Sequence, residues 1–293
     1  MAVEGSVEQP SVAVIIQARM GSSRLPGKVL ECVAGMTLIE HLVRRIRRAT
    51  HPTQIALATT VAPEDASLVA EGERLQIPVF RGAVDDVLSR YLGAARTLGN
   101  PKTLVRVTGD CPLLDPVEID RLLTLFRQYQ DRGKPLDYLT NQGGQIRSIP
   151  FGYDVEVFTL EALRQADREA TDPGHREHVT PYLYRSGCFR TAIVAPKGED
   201  FSHLRLTVDT PEDLSVVSRL VDALGEDAEL RAIDSWLRQH PEVAALNSSV
   251  VHRTTEGEVQ LRRRWISGQT LVARADAGPG IGFGHVGRVE AIL

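Results

Sequence analysis

The chain has 293 residues, 42% of them hydrophobic and 25% charged, with a formal net charge of −4. This is a globular balance, large enough to bury a core without staples, and it excludes a chain-wide polyanion binder, so positive charge used on a ligand has to be concentrated locally. The three cysteines, Cys32, Cys111 and Cys188, have no metal-ligand or disulfide spacing, and no apolar run approaches the ~20 residues that span a bilayer.

Residues 1–11 are polar and acidic and read as a disordered N-terminus rather than a signal peptide. With reduced thiols, the expectation is a cytoplasmic protein that engages neither membrane nor nucleic acid. Val12 to Ile16 is a β-branched run that reads as a buried parallel strand. Thr37-Leu-Ile-Glu40 fits a capping box, and Leu38, Ile39, Leu42, Val43 and Ile46 then share one helical face. Strands are expected at Gln54 to Thr60, Ile77 to Phe80 and Thr103 to Thr108, with helices at Pro63 to Leu75, Val84 to Leu98 and Pro116 to Tyr129. Such alternation implies βαβ units, a mostly parallel sheet and helices on both faces.

From Tyr138 the rhythm changes. Gly152 to Phe158 and Phe189 to Ala195 read as strands around a helical stretch, and Leu204 to Val208 as a further strand. Thr210 and Pro211 open a helix as cap and first-turn residue. Helices over 211–223 and 228–240 close the domain, which is expected to span 12–246, with a linker from 247.

Ligands of parallel sheets bind beyond the carboxyl ends of the strands. The loop after the first strand carries Arg19, Arg24 and Lys28 among Gly21, Ser22, Ser23 and Gly27. Small residues let backbone N–H groups approach an anion, and three cations suit a triphosphate whose leaving pyrophosphate gathers charge. The spacing is not that of a Walker loop; the alternative is a solvated basic loop. Asp110 ends the Thr103 to Thr108 strand, and Asp209 ends a later one. Each could simply cap the following helix; together at neighbouring strand ends they make a Mg²⁺ site, since magnesium takes one or two carboxylates with phosphate oxygens and water.

Six segments in order then resemble the cytidylyltransferase family, most closely its spore-coat polysaccharide, SpsF-like branch: IIQARMGSSRLPGKVL at 15–30, FRGAVDDVLSRY at 80–91, VRVTGDCPLLDP at 105–116, FGYDVEVF at 151–158, HREHVTPYLY at 175–184 and RLTVDTPEDL at 205–214. The likeness runs from about 12 to 240. It implies a Rossmann-like, GT-A-like domain with a small dimerisation arm, usually in a homodimer, that uses Mg²⁺ to transfer CMP from CTP to a sugar. Carried over, it makes Arg19 and Lys28 triphosphate ligands with Arg24 behind them, and Asp110 and Asp209 the metal-binding aspartates. Ala18, Thr59 and Thr60 lie where this group places the base, and His178 and Tyr182 near the sugar. Arg81 and Asp86 match the FRG segment, where capping and strand roles compete with substrate binding. The octulosonate synthetases carry a basic residue before the histidine; here that position is Glu177.

Residues 272–288, with His285, resemble the opening of the nucleotide-sugar hydrolases of the pseudaminic-acid pathway. They are read as the truncated start of a second domain, hinting at a fused or neighbouring hydrolase, with a flexible basic tail as the alternative; His285 is not credited with catalysis. The alternatives carried forward are a GT-A-type glycosyltransferase of polysaccharide biosynthesis and a catalytically silent nucleotide-binding subunit.

Overall fold

The first apolar run forms strand β1 (Val12–Gln17), whose side chains divide by parity: Val12, Val14 and Ile16 enter one core, Ala13 and Ile15 another. A strand buried on both faces must lie inside a sheet covered by helices on each side. The computed structural model, which describes residues 12–51, 54–142, 147–194 and 199–250, has that sheet.

After β1 a 3₁₀ turn (Lys28–Leu30) and a short hairpin, β2 (Cys32–Val33) and β3 (Met36–Thr37), lead into helix α1 (Leu38–Ile46). Strand β4 (Gln54–Thr60), helix α2 (Ala66–Arg74), strand β5 (Val79–Gly82), helix α3 (Val87–Thr97), strand β6 (Thr103–Thr108) and helix α4 (Pro116–Asp131) complete the alternating half. The second half holds β7 (Tyr138–Thr140), β8 (Glu156–Thr159), α5 (Leu160–Glu169), α6 (Pro173–His178), α7 (Pro181–Arg185), β9 (Thr191–Ile193), α8 (Pro211–Leu224), α9 (Leu230–Gln239) and α10 (Pro241–Ala244).

The sheet order is β5–β4–β1–β6–β8–β7–β9. Only β8 runs against its neighbours, pairing antiparallel with β6 and β7; the other pairs are parallel. This is the mixed, mostly parallel sheet expected, with α1, α4, α8 and α9 packed on one face and α3, α5 and α7 on the other. Among the described residues no helix is long and apolar enough to cross a membrane.

Several expectations are corrected. Leu204 to Val208 is extended and buried but is not a ladder strand; it has a single bridge, Arg205 to Phe151. Its next donor, Val208 N–H, goes instead to the carbonyl of Asp110 at 2.8 Å. The capping box at α1 is half formed: the Thr37 hydroxyl accepts from Glu40 N–H, while the Glu40 carboxylate is taken by Arg44 and Arg74. The Pro63 to Leu75 helix opens with a 3₁₀ turn, Pro63–Asp65, before α2. Asn247, expected in the linker, belongs to the packed domain: it is 6% exposed and its amide donates to Arg205 O and to Asp213. The segment 272–288 with His285 lies outside the described residues.

Candidate active site

β1 and β6 lie side by side in register, Gln17 opposite Thr108, so their following loops start together. Gly109 N–H donates to Gln17 O at 2.8 Å. A Cβ on Gly109 would lie 2.8 Å from that of Ala18, so the close approach of the two loops requires glycine.

The β1 loop is folded on itself. Met20 O accepts from Ser22 and Gly27 N–H, at 2.8 and 2.9 Å, and Gly27 turns the chain at φ +71° into the 3₁₀ turn that carries Lys28. Met20 N–H donates to Asp65 at 2.7 Å, pinning the loop to the end of β4. Gln17 to Arg19 and Gly21 to Arg24, with Lys28, Val29, Thr108, Gly109, Asp110 and Asp209, line a cavity of about 240 Å³.

At its floor the expected partners meet. Lys28, 8% exposed, places its ammonium 2.7 Å from Asp110 Oδ2 and 2.8 Å from Asp209 Oδ1. The other Asp209 oxygen accepts from Arg205 at 2.7 Å and pairs with Arg24 at 3.0 Å. Burial alone would push the Asp209 carboxyl up, but Lys28, Arg24 and Arg205 outweigh it and hold the group at about 2. Burial works against the Lys28 charge too, and the two aspartates overcome it, raising the ammonium above its ordinary value. Arg19 is exposed at the rim, its side chain in no ion pair among the described residues.

Two hard oxygen donors converge on one point here, and among the described residues no group of three or more His, Cys, Asp or Glu does so. That donor set fits magnesium, which completes its shell with phosphate oxygens and water, and does not fit a cage built by protein alone.

The support behind Asp209 went unassigned in the sequence. Asp213 accepts from Arg205 Nε at 2.8 Å and from the backbone N–H of Asp209 at 2.9 Å, while serving in the Thr210 capping box of α8. Arg205 and Asp213 stand four residues either side of Asp209, inside a matched segment, and that spacing was the available signal.

Other expected site residues lie away from this cavity. Thr59 and Thr60 are buried, and both hydroxyls donate to Asp65 Oδ2, Thr59 at 3.0 Å. They hold the carboxylate that pins Met20, and neither they nor Arg81 line the cavity described above. Arg81 donates to the carbonyls of Thr60 and Ala62, both at 3.0 Å, and fixes the turn after β4. Asp86 caps α3 through Ser89 N–H and pairs with Arg176 of α6 at 2.7 Å, so two of the matched segments are tied to each other.

His178 ends α6. It precedes Val179, whose φ of 70° and ψ of −59° close a strained three-residue turn with Thr180 N–H on His178 O at 2.8 Å. Burial lowers the imidazole pKa; Glu177 opposes this, and Arg106 and Arg185 add to the lowering. Tyr182 donates to Glu169 at 2.9 Å and meets Phe189 edge-on.

Behind the cavity runs a second polar network. Arg106 reaches Gln17 Oε1 at 3.2 Å with one nitrogen and pairs with Glu156 through another. Glu156, 3% exposed, also accepts from the Tyr138 and Thr180 hydroxyls, each at 2.6 Å.

A mixed sheet with a small-residue, cationic loop facing two carboxylates across its carboxyl edge defines an α/β nucleotidyltransferase. The cytidylyltransferase profile matches residues 13–239, and the chain belongs to that family. It is 31% identical over 242 residues to the spore coat polysaccharide biosynthesis protein SpsF of Bacillus subtilis, covering 80% of this chain and 96% of that protein. It is 40% identical over 241 residues to a 3-deoxy-manno-octulosonate cytidylyltransferase of Anaeromyxobacter, covering 72% and 97% respectively. The solved structure of a cytidylyltransferase from Leptospira borgpetersenii superposes with a TM-score of 0.74 at 31% identity, over 83% of this chain and 99% of that one.

Proposed function

We propose that this protein transfers CMP from CTP to a hydroxyl of an acidic or surface-glycan sugar and releases pyrophosphate. The observation that supports it most is the contact of one buried lysine with both aspartates at the floor of a cavity rimmed by Arg19, Arg24 and a small-residue loop.

The hydroxyl oxygen forms a bond to the α-phosphorus as the bond to the bridging oxygen breaks. Pyrophosphate leaves with that electron pair, and the hydroxyl proton passes to solvent. Asp110 and Asp209 would hold Mg²⁺, which supplies charge stabilisation at the reacting phosphate. Arg19, Lys28 and Arg24 neutralise the β- and γ-phosphates as charge builds on them, and the Gly21–Ser23 backbone orients the chain of phosphates. Ala18 packs where the base enters; Thr59 and Thr60 act on it at one remove, through Asp65 and Met20. His178 and Tyr182 belong to the acceptor side.

The reaction consumes a nucleoside triphosphate, which supports a cytoplasmic location. A homodimer with a small arm completes the reading, with a fused or neighbouring nucleotide-sugar hydrolase as its pathway partner; sedimentation of the full chain tests the dimer. For the activity itself, pyrophosphate release is measured with each of four nucleoside triphosphates and a panel of sugars, with Mg²⁺. Release only with CTP plus one acceptor is expected. Turnover of a preformed nucleotide-sugar without pyrophosphate, or tight nucleotide binding without turnover, would overturn the proposal.

A further inference from the structure

Asp110 Oδ2 and Asp209 Oδ1 are the two oxygens free to converge on a cation at the cavity floor, and both already touch the same ammonium, at 2.7 and 2.8 Å. We infer that Lys28 is the internal counter-ion of this carboxylate pair, and that a divalent cation enters only together with CTP, when the triphosphate draws Lys28 away. The inference rests on the metal–triphosphate reading given above.

Three observations carry it. First, the oxygens are already engaged: the two that a cation shared by the aspartates would take are the two that the ammonium holds, at 2.7 and 2.8 Å. Second, the charges are already balanced. Lys28, Arg24 and Arg205 face Asp110, Asp209 and Asp213 in one contiguous set of ion pairs. A bare divalent cation would add two positive charges there and strip a nearly buried lysine of both its partners, an arrangement whose cost is high. Third, a new partner is within the same cavity. The Gly21–Ser23 loop and Arg19 line the cavity together with the aspartates, and the β- and γ-phosphates would lie along them. The triphosphate brings the negative charge that the extra cation requires and accepts the displaced ammonium.

Nucleotide and cation are therefore coupled through Lys28, and coupling of this kind is reciprocal. Such couplings run from about 5-fold to about 150-fold in affinity; at least about 10-fold is expected here.

The test is Mn²⁺ binding to the full-length protein, followed by electron paramagnetic resonance, with and without α,β-methylene-CTP. Wild type should bind Mn²⁺ weakly alone and at least about 10-fold more tightly with the nucleotide analogue. Lys28→Met should bind Mn²⁺ alone at least about 10-fold more tightly than wild type, and Lys28→Arg, which keeps the charge, should not. A Lys28→Met protein with a wild-type melting profile that binds Mn²⁺ alone no more tightly than wild type would overturn the inference. Should that variant fail to fold, Lys28→Gln carries the same comparison, and wild type that binds Mn²⁺ equally well with and without the analogue overturns it without any variant. Asp110→Asn and Asp209→Asn separate this failure from that of the underlying reading. If both retain Mn²⁺ binding with the analogue, the metal assignment itself is wrong, whatever Lys28 does.

Discussion

Two ionic networks lie on either side of Gln17, and they are built to opposite ends. The Lys28–Asp110–Asp209 set opens onto a cavity, has Arg19 and Arg24 at its lining, and gives Lys28 two carboxylate partners and Asp209 three cationic ones. The Arg106–Glu156 set is closed: Glu156 is spent on Arg106, Tyr138 and Thr180, and burial pushes the Tyr138 phenol well above its ordinary range, so it stays a neutral donor. The first set lines a cavity that a ligand can enter. The second ties strands β6, β7 and β8 to the turn at Val179 through the buried Glu156. Damage to the closed network should therefore appear as lost stability, and damage to the open one as lost turnover.

The largest expected effect breaks the closed set. Glu156→Ala leaves the mostly buried Arg106 without its carboxylate and the Tyr138 and Thr180 hydroxyls without their acceptor, and removing one member of a buried pair costs about 3–5 kcal/mol; urea unfolding measures it, and a loss under about 1 kcal/mol would remove the contrast. In the open set, Asp110→Asn should lower pyrophosphate release by at least about 100-fold. Its melting temperature should stay near that of wild type, because Lys28 keeps Asp209 as its counter-ion and the Asn amide oxygen can still accept from the ammonium.

How far the sequence could show this division follows from the range of the contacts. The open set was legible because each member lies in a recognisable segment: Lys28 in the loop after β1, Asp110 directly after β6, Asp209 directly before the cap of α8. The alternation of β1 to α4 was legible for the same reason, since strand and helix periods are local. The closed set was not. Glu156 lies 50 residues from Arg106 and 24 from Thr180 in the chain, and no local pattern reports such a meeting. β7 has only three residues, too few for a period. Leu204 to Val208 alternates as a strand should, yet its last donor goes to Asp110 O rather than a ladder. That departure is what brings Asp209 to Asp110, so the failure of the strand expectation and the meeting of the two aspartates have one cause.

A smaller effect sharpens the boundary between the two sets. Thr59→Val removes one of the donors to Asp65, which should cost about 1 kcal/mol of stability. The preference for CTP over UTP should be unaltered, because the hydroxyl serves Asp65 and not the base. A changed base preference with unchanged stability would return Thr59 to the base pocket. The smallest effect concerns His178. Its lowered pKa, set first by burial, with Glu177 opposing and Arg106 and Arg185 adding to it, predicts an NMR titration below the ordinary ~6.5. The folded form then binds this proton less tightly than the unfolded chain, so the contribution of His178 to stability falls as pH drops below that ordinary value. A midpoint at or above it would contradict the assigned surroundings.

The central claim is that Lys28, Asp110 and Asp209 form one metal–triphosphate site. A crystal grown with α,β-methylene-CTP and Mn²⁺ tests it most directly, through the anomalous signal of the metal. The account predicts a single strong peak between Asp110 and Asp209, with Lys28 turned onto the triphosphate beside Arg19. A metal bound elsewhere, or a triphosphate bound with Lys28 still bridging the two aspartates, would contradict it.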